Sequence, residues 1–145
     1  MPLSITWGEF YTDTKSLVEK IKNSYKPDIL VPIMRGGLIP SGIISEELGI
    51  KDVRPIDVIR SGKERRIVYT IQGEISNSNL LLVEDAVPTG GSVLQAKEEY
   101  GRVAIVKAAS VYIVPEARGI DYYARCLEEI PNLPWKPSRK GDRIR

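Results

Sequence analysis

The stretch over residues 79–92 constrains the fold of this chain more than any other. It begins with an apolar run, residues 80–83, and continues with two carboxylates, Glu84 and Asp85. A Thr-Gly-Gly-Ser loop follows, and then a helical pattern over residues 93–100. A short apolar run bounded by turn signals is typical of a buried strand. The stretch therefore predicts a strand, a glycine loop and a helix in direct succession.

This order of elements favours a site for an anion. The N–H groups of the loop converge with the first free N–H groups of the helix, and the helix dipole favours negative charge. Glu84 and Asp85 beside it can accept hydrogen bonds from hydroxyls or hold a divalent cation. The predicted ligand carries both a phosphate and a diol, as a ribose phosphate does. The alternative is a solvated strand end followed by an ordinary turn, but ligands of open parallel sheets bind in this region.

A second glycine loop, Arg35-Gly36-Gly37, lies between a predicted strand over residues 28–33 and a predicted helix over residues 38–48. Arginine offers a forked donor suited to phosphate, and the glycines let the backbone approach a ligand. Strand ends of one sheet lie along one edge, so both loops could face one cleft, one taking a monophosphate and the other a pyrophosphate. The chain has neither GxxxxGK[ST] nor GxGxxG, which disfavours a nucleoside triphosphate or a dinucleotide.

The remaining elements follow from periodicity and turn residues. We predict a helix over residues 7–24, strands over residues 53–59, 103–106 (extending towards 109) and 121–127, and irregular structure over residues 131–137. The basic stretch 60–66 and the alternating residues 67–71 predict a hairpin, either a solvated tip or a flap over an anionic ligand. Strands alternating with helices indicate an α/β fold with a parallel sheet.

Composition narrows the possible functions. The 145 residues predict one domain over residues 1–135 and a basic tail over residues 136–145. A net charge of +2 is too balanced to favour nucleic acid as a partner. The absence of histidine excludes histidine bases and ligands, and the single Cys126 excludes an internal disulfide. No apolar run approaches the roughly 18 residues that span a membrane, and we expect a reducing, cytoplasmic setting.

Two motifs together resemble a known family. Residues 81–92, Leu-Leu-Val-Glu-Asp-Ala-Val-Pro-Thr-Gly-Gly-Ser, resemble the phosphoribosyl pyrophosphate signature of the type I phosphoribosyltransferases. Arg35-Gly36-Gly37-Leu38 resembles their pyrophosphate loop. Looser similarity covers residues 6–135, and the Asp-Tyr-Tyr at 121–123 and Leu-Pro-Trp at 133–135 are most similar to small bacterial and archaeal enzymes for guanine, xanthine or hypoxanthine.

The resemblance implies a Rossmann-like parallel sheet flanked by helices, with a small hood or flap. It implies transfer of the phosphoribosyl group from phosphoribosyl pyrophosphate to a base, a purine by the closest likeness, with Mg²⁺ and as a homodimer or higher oligomer. Glu84 and Asp85 would hold the ribose hydroxyls in an open cleft, with Asp85 also at the metal, and Arg35 to Gly37 would hold the pyrophosphate across a non-proline cis bond at Met34-Arg35. The implied catalytic residues are Asp85, Glu84 and Arg35. The residues implied to cradle the 5′-phosphate are Ala86, Val87, Pro88, Thr89, Gly90, Gly91 and Ser92.

The base half of the site departs from the family pattern. Pro88 stands where the 6-oxopurine enzymes carry an aspartate that handles a proton of the base. Lys107 and Ile130 are the positions nearest to the family's base-binding lysine and stacking aromatic. Trp135 is interpreted as a packing anchor. Two alternatives therefore stay open: a phosphoribosyltransferase for another base such as orotate or adenine, and a weak or inactive regulatory module that binds nucleotide or phosphoribosyl pyrophosphate.

Overall fold

The computed structural model describes residues 2–136, which form one sheet of six strands with three helices. In chain order the elements are α1 (Trp7–Lys22), β1 (Ile29–Met34), α2 (Leu38–Leu48), β2 (Ile56–Ser61), β3 (Glu64–Tyr69), β4 (Asn79–Val87), α3 (Gly91–Tyr100), β5 (Ile105–Ile113) and β6 (Tyr122–Cys126). The predicted α/β class is confirmed. None of the described helices is long and apolar enough to span a membrane.

The strands lie in the order β3-β2-β1-β4-β5-β6. Every neighbouring pair is parallel except β2 and β3, which form an antiparallel hairpin at one edge. The carboxyl ends of the parallel strands therefore meet at one edge of the sheet. The chain moves outward from β1 to β2 and then returns to the other side of β1 with β4. This reversal places a topological switch point between β1 and β4, where open α/β sheets bind ligands.

The central strand β4 supplies both layers of the core because its side chains alternate between the two faces of the sheet. Leu81 and Val83 pack in the cluster that contains the apolar sides of α1 and α2. Leu80 and Leu82 pack in the cluster that contains α3. All four side chains are fully buried. Burial on both faces explains why this strand appears in the sequence as a continuous apolar run.

The strands β4 and β5, which carry the site, differ from their predicted boundaries. β4 was predicted over residues 80–83 but continues through Glu84 and Asp85, because β5 pairs with it as far as the partners Val87 and Ile113. β5 begins at residue 105 rather than 103, because the amide of Val103 still bonds to the last turn of α3. Two lengths bear on the site: the extended β4 places both carboxylates inside a strand, and β5 continues to Ile113, beyond its predicted end.

The predicted hairpin is present as β2–β3, called the flap below, although it is shifted from the predicted bounds. β2 starts at Ile56, and Val53 makes only an isolated bridge to Leu30. β3 starts at residue 64, before the predicted 67. Residues 131–136 are irregular as predicted, with Asn132 bridged to Ser4. The predicted tail lies outside the described residues from 137 onward, and the domain limit at residue 135 stays a prediction.

Candidate active site

The loop after β1 packs directly onto β4. A cis peptide bond joins Met34 and Arg35, as the resemblance implied. The amide of Gly37 donates to the carbonyl of Ile33 at 3.0 Å and so closes the turn. A Cβ at Gly37 would overlap the carbonyl oxygen of Val83. Only glycine therefore allows the loop to lie this close to the neighbouring strand.

The same loop touches the carboxylate that the sequence singled out. A Cβ placed on Gly36 would overlap the carboxylate of Asp85, lying 2.6 Å from its Oδ1. Asp85 has the same strand parity as Leu81 and Val83, whose side chains face α1 and α2. Its carboxylate accordingly lies on the side where α2 begins. The two glycine-loop regions predicted to share an edge are thus in contact between Gly36 and Asp85.

Asp85 is buried rather than open to a cleft, with 3% of its surface exposed. The expectation of an open position was wrong, because β4 continues past this residue and Gly36 covers it. Oδ1 accepts a hydrogen bond from the amide of Ala86 at 2.7 Å. Oδ2 receives no hydrogen bond of good geometry from the described residues. Its nearest cation is the ammonium of Lys136, at 3.2 Å.

Glu84, the other carboxylate, is perturbed in its ionisation. Desolvation of its carboxyl group and then the neighbouring charge of Asp85 raise its pKa to about 8, and the charge of Lys136 opposes them. Two adjacent carboxylates with so little water resist carrying two negative charges at once. Successive side chains of a strand point to opposite faces, so Asp85 can receive a cation or hydroxyl groups on the α2 side and Glu84 on the α3 side.

The loop after β4 forms a pocket at the start of α3. Pro88 and Thr89 are exposed, and Gly90 adopts a left-handed φ of 92° just before the helix. A Cβ at Gly90 would overlap the carbonyl oxygen of Arg118, whose own amide donates to the carbonyl of Thr89 at 3.0 Å. The N-cap residue Gly90 has no side chain, the hydroxyl of Thr89 accepts only a long hydrogen bond from the amide of Gly91 at 3.4 Å, and the first turn of α3 holds no acid. Its first N–H groups and its dipole are thus available to an anion.

The carboxylate of Asp85 fits a magnesium ion that is shared with a substrate. The described residues contain no group of three or more Asp, Glu, His or Cys that could hold a metal alone. Mg²⁺ commonly takes only one or two protein carboxylates and completes its shell with substrate oxygens and water. The buried Oδ2 of Asp85, which lacks a hydrogen-bond donor, matches that requirement as a single carboxylate ligand.

Lys107 does not reach this edge of the sheet. It pairs with Leu81, whereas Glu84 pairs with Ser110, so Lys107 lies three positions nearer the amino ends of the strands. At about 3.3 Å per residue that is a displacement of about 10 Å. The prediction that Lys107 binds the base is therefore wrong. The cause is that β5 continues to Ile113, past its predicted end, so Lys107 lies within the strand rather than after it.

The other two residues considered for the base lie after β6. Ile130 is partly buried in an irregular segment, and its role stays a prediction. The ring of Trp135 packs edge-on against Phe10, with 4.4 Å between centroids. Trp135 is therefore a packing anchor, as interpreted from the sequence.

Sequence reasoning missed two cations at the site. The guanidinium of Arg65 lies over Gly91, so close that a Cβ there would be 3.0 Å from Nε. The only sequence signal for it was the basic composition of the flap. Lys136 contacts Asp85, although it had been assigned to the solvated tail. Trp135, its neighbour in sequence, fixes the backbone that brings Lys136 to the site.

Comparison with known proteins agrees with this geometry. The model of the phosphoribosyl transferase domain family matches residues 6–140. The chain belongs to this family. It is accordingly an enzyme of the phosphoribosyltransferase class, with the mostly parallel six-stranded sheet of the type I fold.

Solved phosphoribosyltransferases share the fold over almost the whole chain. A purine phosphoribosyltransferase from Pyrococcus horikoshii Ot3 superposes with a TM-score of 0.86 at 28% identity, covering 94% of this chain and 95% of that one. The xanthine-guanine-hypoxanthine phosphoribosyltransferase of Helicobacter pylori gives 0.77 at 22% identity, covering 92% of each chain. A hypoxanthine phosphoribosyltransferase from Staphylococcus aureus gives 0.76 at 18% identity, covering 88% of this chain and 79% of that one.

Proposed function

We propose that the protein transfers the 5-phosphoribosyl group of phosphoribosyl pyrophosphate to a purine base, with Mg²⁺, and yields a nucleoside 5′-monophosphate and pyrophosphate. The observation that carries the proposal is the contact of Gly36 with Asp85. It joins a loop suited to pyrophosphate and a strand suited to a diol at one point. The purine-specific neighbours in the fold support the class of base.

Different groups of the chain bind the different parts of the substrate. The N–H groups of residues 89 to 92 hold the 5′-phosphate, with the start of α3 behind them, since the amide of Ala86 already bonds to Asp85 and Pro88 has no N–H. Glu84 and Asp85 receive the ribose hydroxyls, and Asp85 is the metal ligand. The backbone of Gly36 and Gly37 and the guanidinium of Arg35 hold the pyrophosphate. The ion, when bound, neutralises charge on the departing pyrophosphate.

Catalysis in this arrangement is mainly placement. The bond from C1′ to a pyrophosphate oxygen breaks, a bond from C1′ to a base nitrogen forms, and that nitrogen loses its proton. Donors already fixed around the leaving anion stabilise it without reorganisation. Gly36, Gly37 and Gly90 lie where any side chain would overlap neighbouring atoms, so the donors of these loops are held in place by packing.

The direct test is a panel of bases with product detection. The purified protein is incubated with Mg²⁺, phosphoribosyl pyrophosphate and guanine, hypoxanthine, xanthine, adenine or orotate, and nucleotides are detected by mass spectrometry. We expect a monophosphate from at least one purine. Asp85→Asn, purified identically, controls for a contaminating host enzyme and should give none. Absence of product with every base would overturn the proposal, and product from orotate alone would overturn the purine assignment.

One observation favours a second candidate, a module that binds the ligand without turning it over. Pro88 is exposed in the phosphate loop and supplies neither a carboxylate nor an N–H. In this case the wild type would bind phosphoribosyl pyrophosphate but form no product, and Pro88→Asp would bind it with unchanged affinity. Brisk turnover by the wild type would rule this candidate out. Homo-oligomer formation and a cytoplasmic location remain part of the proposal and are checked by light scattering and by cell fractionation.

A further inference from the structure

The flap presents a basic face to α3. In the β2–β3 hairpin Arg60 pairs with Arg65, and Val58 pairs with Ile67. Residues opposite each other in an antiparallel pair share a face, and so do residues two apart along a strand. Val58 and Ile67 pack on the core cluster that contains α3. Arg60 and Arg65 therefore lie on the face of the flap that is turned towards α3, whereas Arg66 lies on the solvent face.

Two arginines directly opposite each other destabilise a hairpin unless an anion lies between or near them. Within residues 2–136 neither Arg60 nor Arg65 forms a salt bridge with an acid. Arg60 donates from Nε to the carbonyl of Gly62 at 3.0 Å, which satisfies only part of its guanidinium. The flap thus carries two positive charges for which the described chain supplies no counter-charge in direct contact.

The start of α3 lies opposite these charges and is itself electropositive. The Nε and Cζ atoms of Arg65 are 3.0 Å from where a Cβ of Gly91 would be. The N-cap residue of the helix has no side chain, and the first turn holds no acid. An open cavity of about 740 Å³ separates flap and helix, and Arg60, Arg65, Thr89 and Gly91 line it. Lys63 also lines the cavity, as do two acids: Glu64, which pairs with Ser61 near the hairpin tip, and Glu98, which lies two turns further along α3.

We propose that Arg65 is a further binding residue for the 5′-phosphate of the substrate, with Arg60 as the second cation of the same clamp. The inference rests on the proposed function and adds to it. The loop and the first amides of α3 bind the phosphate on one side of the cavity, and the flap binds it on the opposite side. The flap serves the ribose 5′-phosphate and not the pyrophosphate, since Arg65 meets Gly91 whereas the pyrophosphate loop meets Asp85.

The test separates the two phosphate groups of the substrate. Binding of ribose 5-phosphate and of pyrophosphate with Mg²⁺ is measured by calorimetry for wild type, Arg65→Met, Arg65→Lys and Arg102→Met. A hydrogen bond to a charged group contributes about 1.5–3 kcal/mol, so Arg65→Met should weaken ribose 5-phosphate about 10- to 100-fold. Its pyrophosphate affinity should change less than about twofold by the same reasoning. Arg65→Lys keeps the charge without the fork and should fall between.

Arg102→Met is the matched control, because it removes the same charge beyond the far end of α3 and should change neither affinity. If Arg65→Met weakens pyrophosphate binding but leaves ribose 5-phosphate binding unchanged, the inference is overturned and the flap is assigned to the pyrophosphate loop. No change in either ligand would overturn it too. If wild type turns over a base while Arg65→Met binds ribose 5-phosphate normally, the inference alone fails. If wild type binds neither ligand, the proposed function fails with it.

Discussion

Replacement of Asp85 by asparagine tests the central contact of the site. The carboxylate is buried, it accepts a hydrogen bond from Ala86 N at 2.7 Å, and its other oxygen lies 3.2 Å from Lys136 Nζ. The amide oxygen of asparagine can retain the bond from Ala86. The ion pair is lost, but the side chain of Lys136 is 55% exposed, and exposed pairs contribute about 0–1 kcal/mol. The new NH₂ group lies where Oδ2 has no hydrogen-bond partner among the described residues, so we expect the free energy of unfolding to fall by about 1–3 kcal/mol.

The loss of binding free energy for phosphoribosyl pyrophosphate should be larger than this loss of stability. Asparagine cannot accept the charge-assisted hydrogen bonds of ribose hydroxyls at Oδ2, nor can it bind Mg²⁺ as a carboxylate does. Two charge-assisted contacts at about 1.5–3 kcal/mol each give about 3–6 kcal/mol. At 1.4 kcal/mol per decade, the Kd for phosphoribosyl pyrophosphate with Mg²⁺ should rise at least about 100-fold.

Calorimetry gives the affinity, and thermal unfolding without ligand gives the stability. The matched control is Asp121→Asn, because Asp121 also accepts from one backbone amide, Ala108 N at 2.8 Å, and pairs with one lysine, Lys97 at 2.8 Å. It precedes β6, away from both glycine loops. Unchanged binding in Asp85→Asn would refute the placement of the ribose and metal at Asp85. A protein that unfolds while Asp121→Asn stays folded would show that Asp85 supports the fold instead.

Three further predictions concern the residues around Asp85. The Glu84 pKa of about 8, against an ordinary 4.5, means that the native state retains a proton that the unfolded state releases; the free energy of unfolding should therefore fall as pH rises from about 4.5 to 8, and Glu84→Gln should abolish that part of the decline in denaturant titrations. Gly36→Ala should lower stability by about 1–3 kcal/mol through overlap with Asp85, whereas Gly42→Ala in α2, with open space around it, should be neutral or stabilising in thermal melts. Lys136→Met should increase Mg²⁺ affinity in the presence of phosphoribosyl pyrophosphate, because the ammonium no longer competes at Oδ2; unchanged or weaker metal binding by calorimetry would contradict this.

The sequence predicted the loops better than their surroundings, and the reason is physical. A glycine that must approach another backbone closely, such as Gly37 or Gly90, is encoded locally by the absence of a side chain. The strand that precedes each loop is encoded by a continuous apolar run. The convergence of the loops at one edge then follows from parallel strands alone. These local rules sufficed to predict that both loops lie at one edge of the sheet, whereas the contact of Gly36 with Asp85 was found only in the structure.

What the sequence did not predict depends on pairing between distant segments. The burial of Asp85 arises because β5 extends β4 past the carboxylates, and polar residues interrupt the apolar pattern by which a strand is detected. Lys107 was misplaced because the length of β5 is set by its neighbours. Arg65 reaches Gly91 only through the twist and pairing of a hairpin at the sheet edge. None of these contacts leaves a periodic signal in the chain.

The difference between loops that are encoded locally and contacts that depend on distant pairing also explains why the phosphoribosyl half of the site is better defined than the base half. Phosphate and pyrophosphate are held largely by backbone N–H groups, which any sequence with the right glycines supplies. A base is recognised by particular side chains, and in a parallel sheet these follow the ends of β5 and β6. There the chain offers Val114 rather than a lysine, and Leu127, whose amide bonds to Ile113 at 2.8 Å. Under the proposed function, and with Pro88 also lacking a carboxylate, we expect backbone groups and apolar contacts to recognise the base, so the base panel should reveal broad rather than narrow specificity.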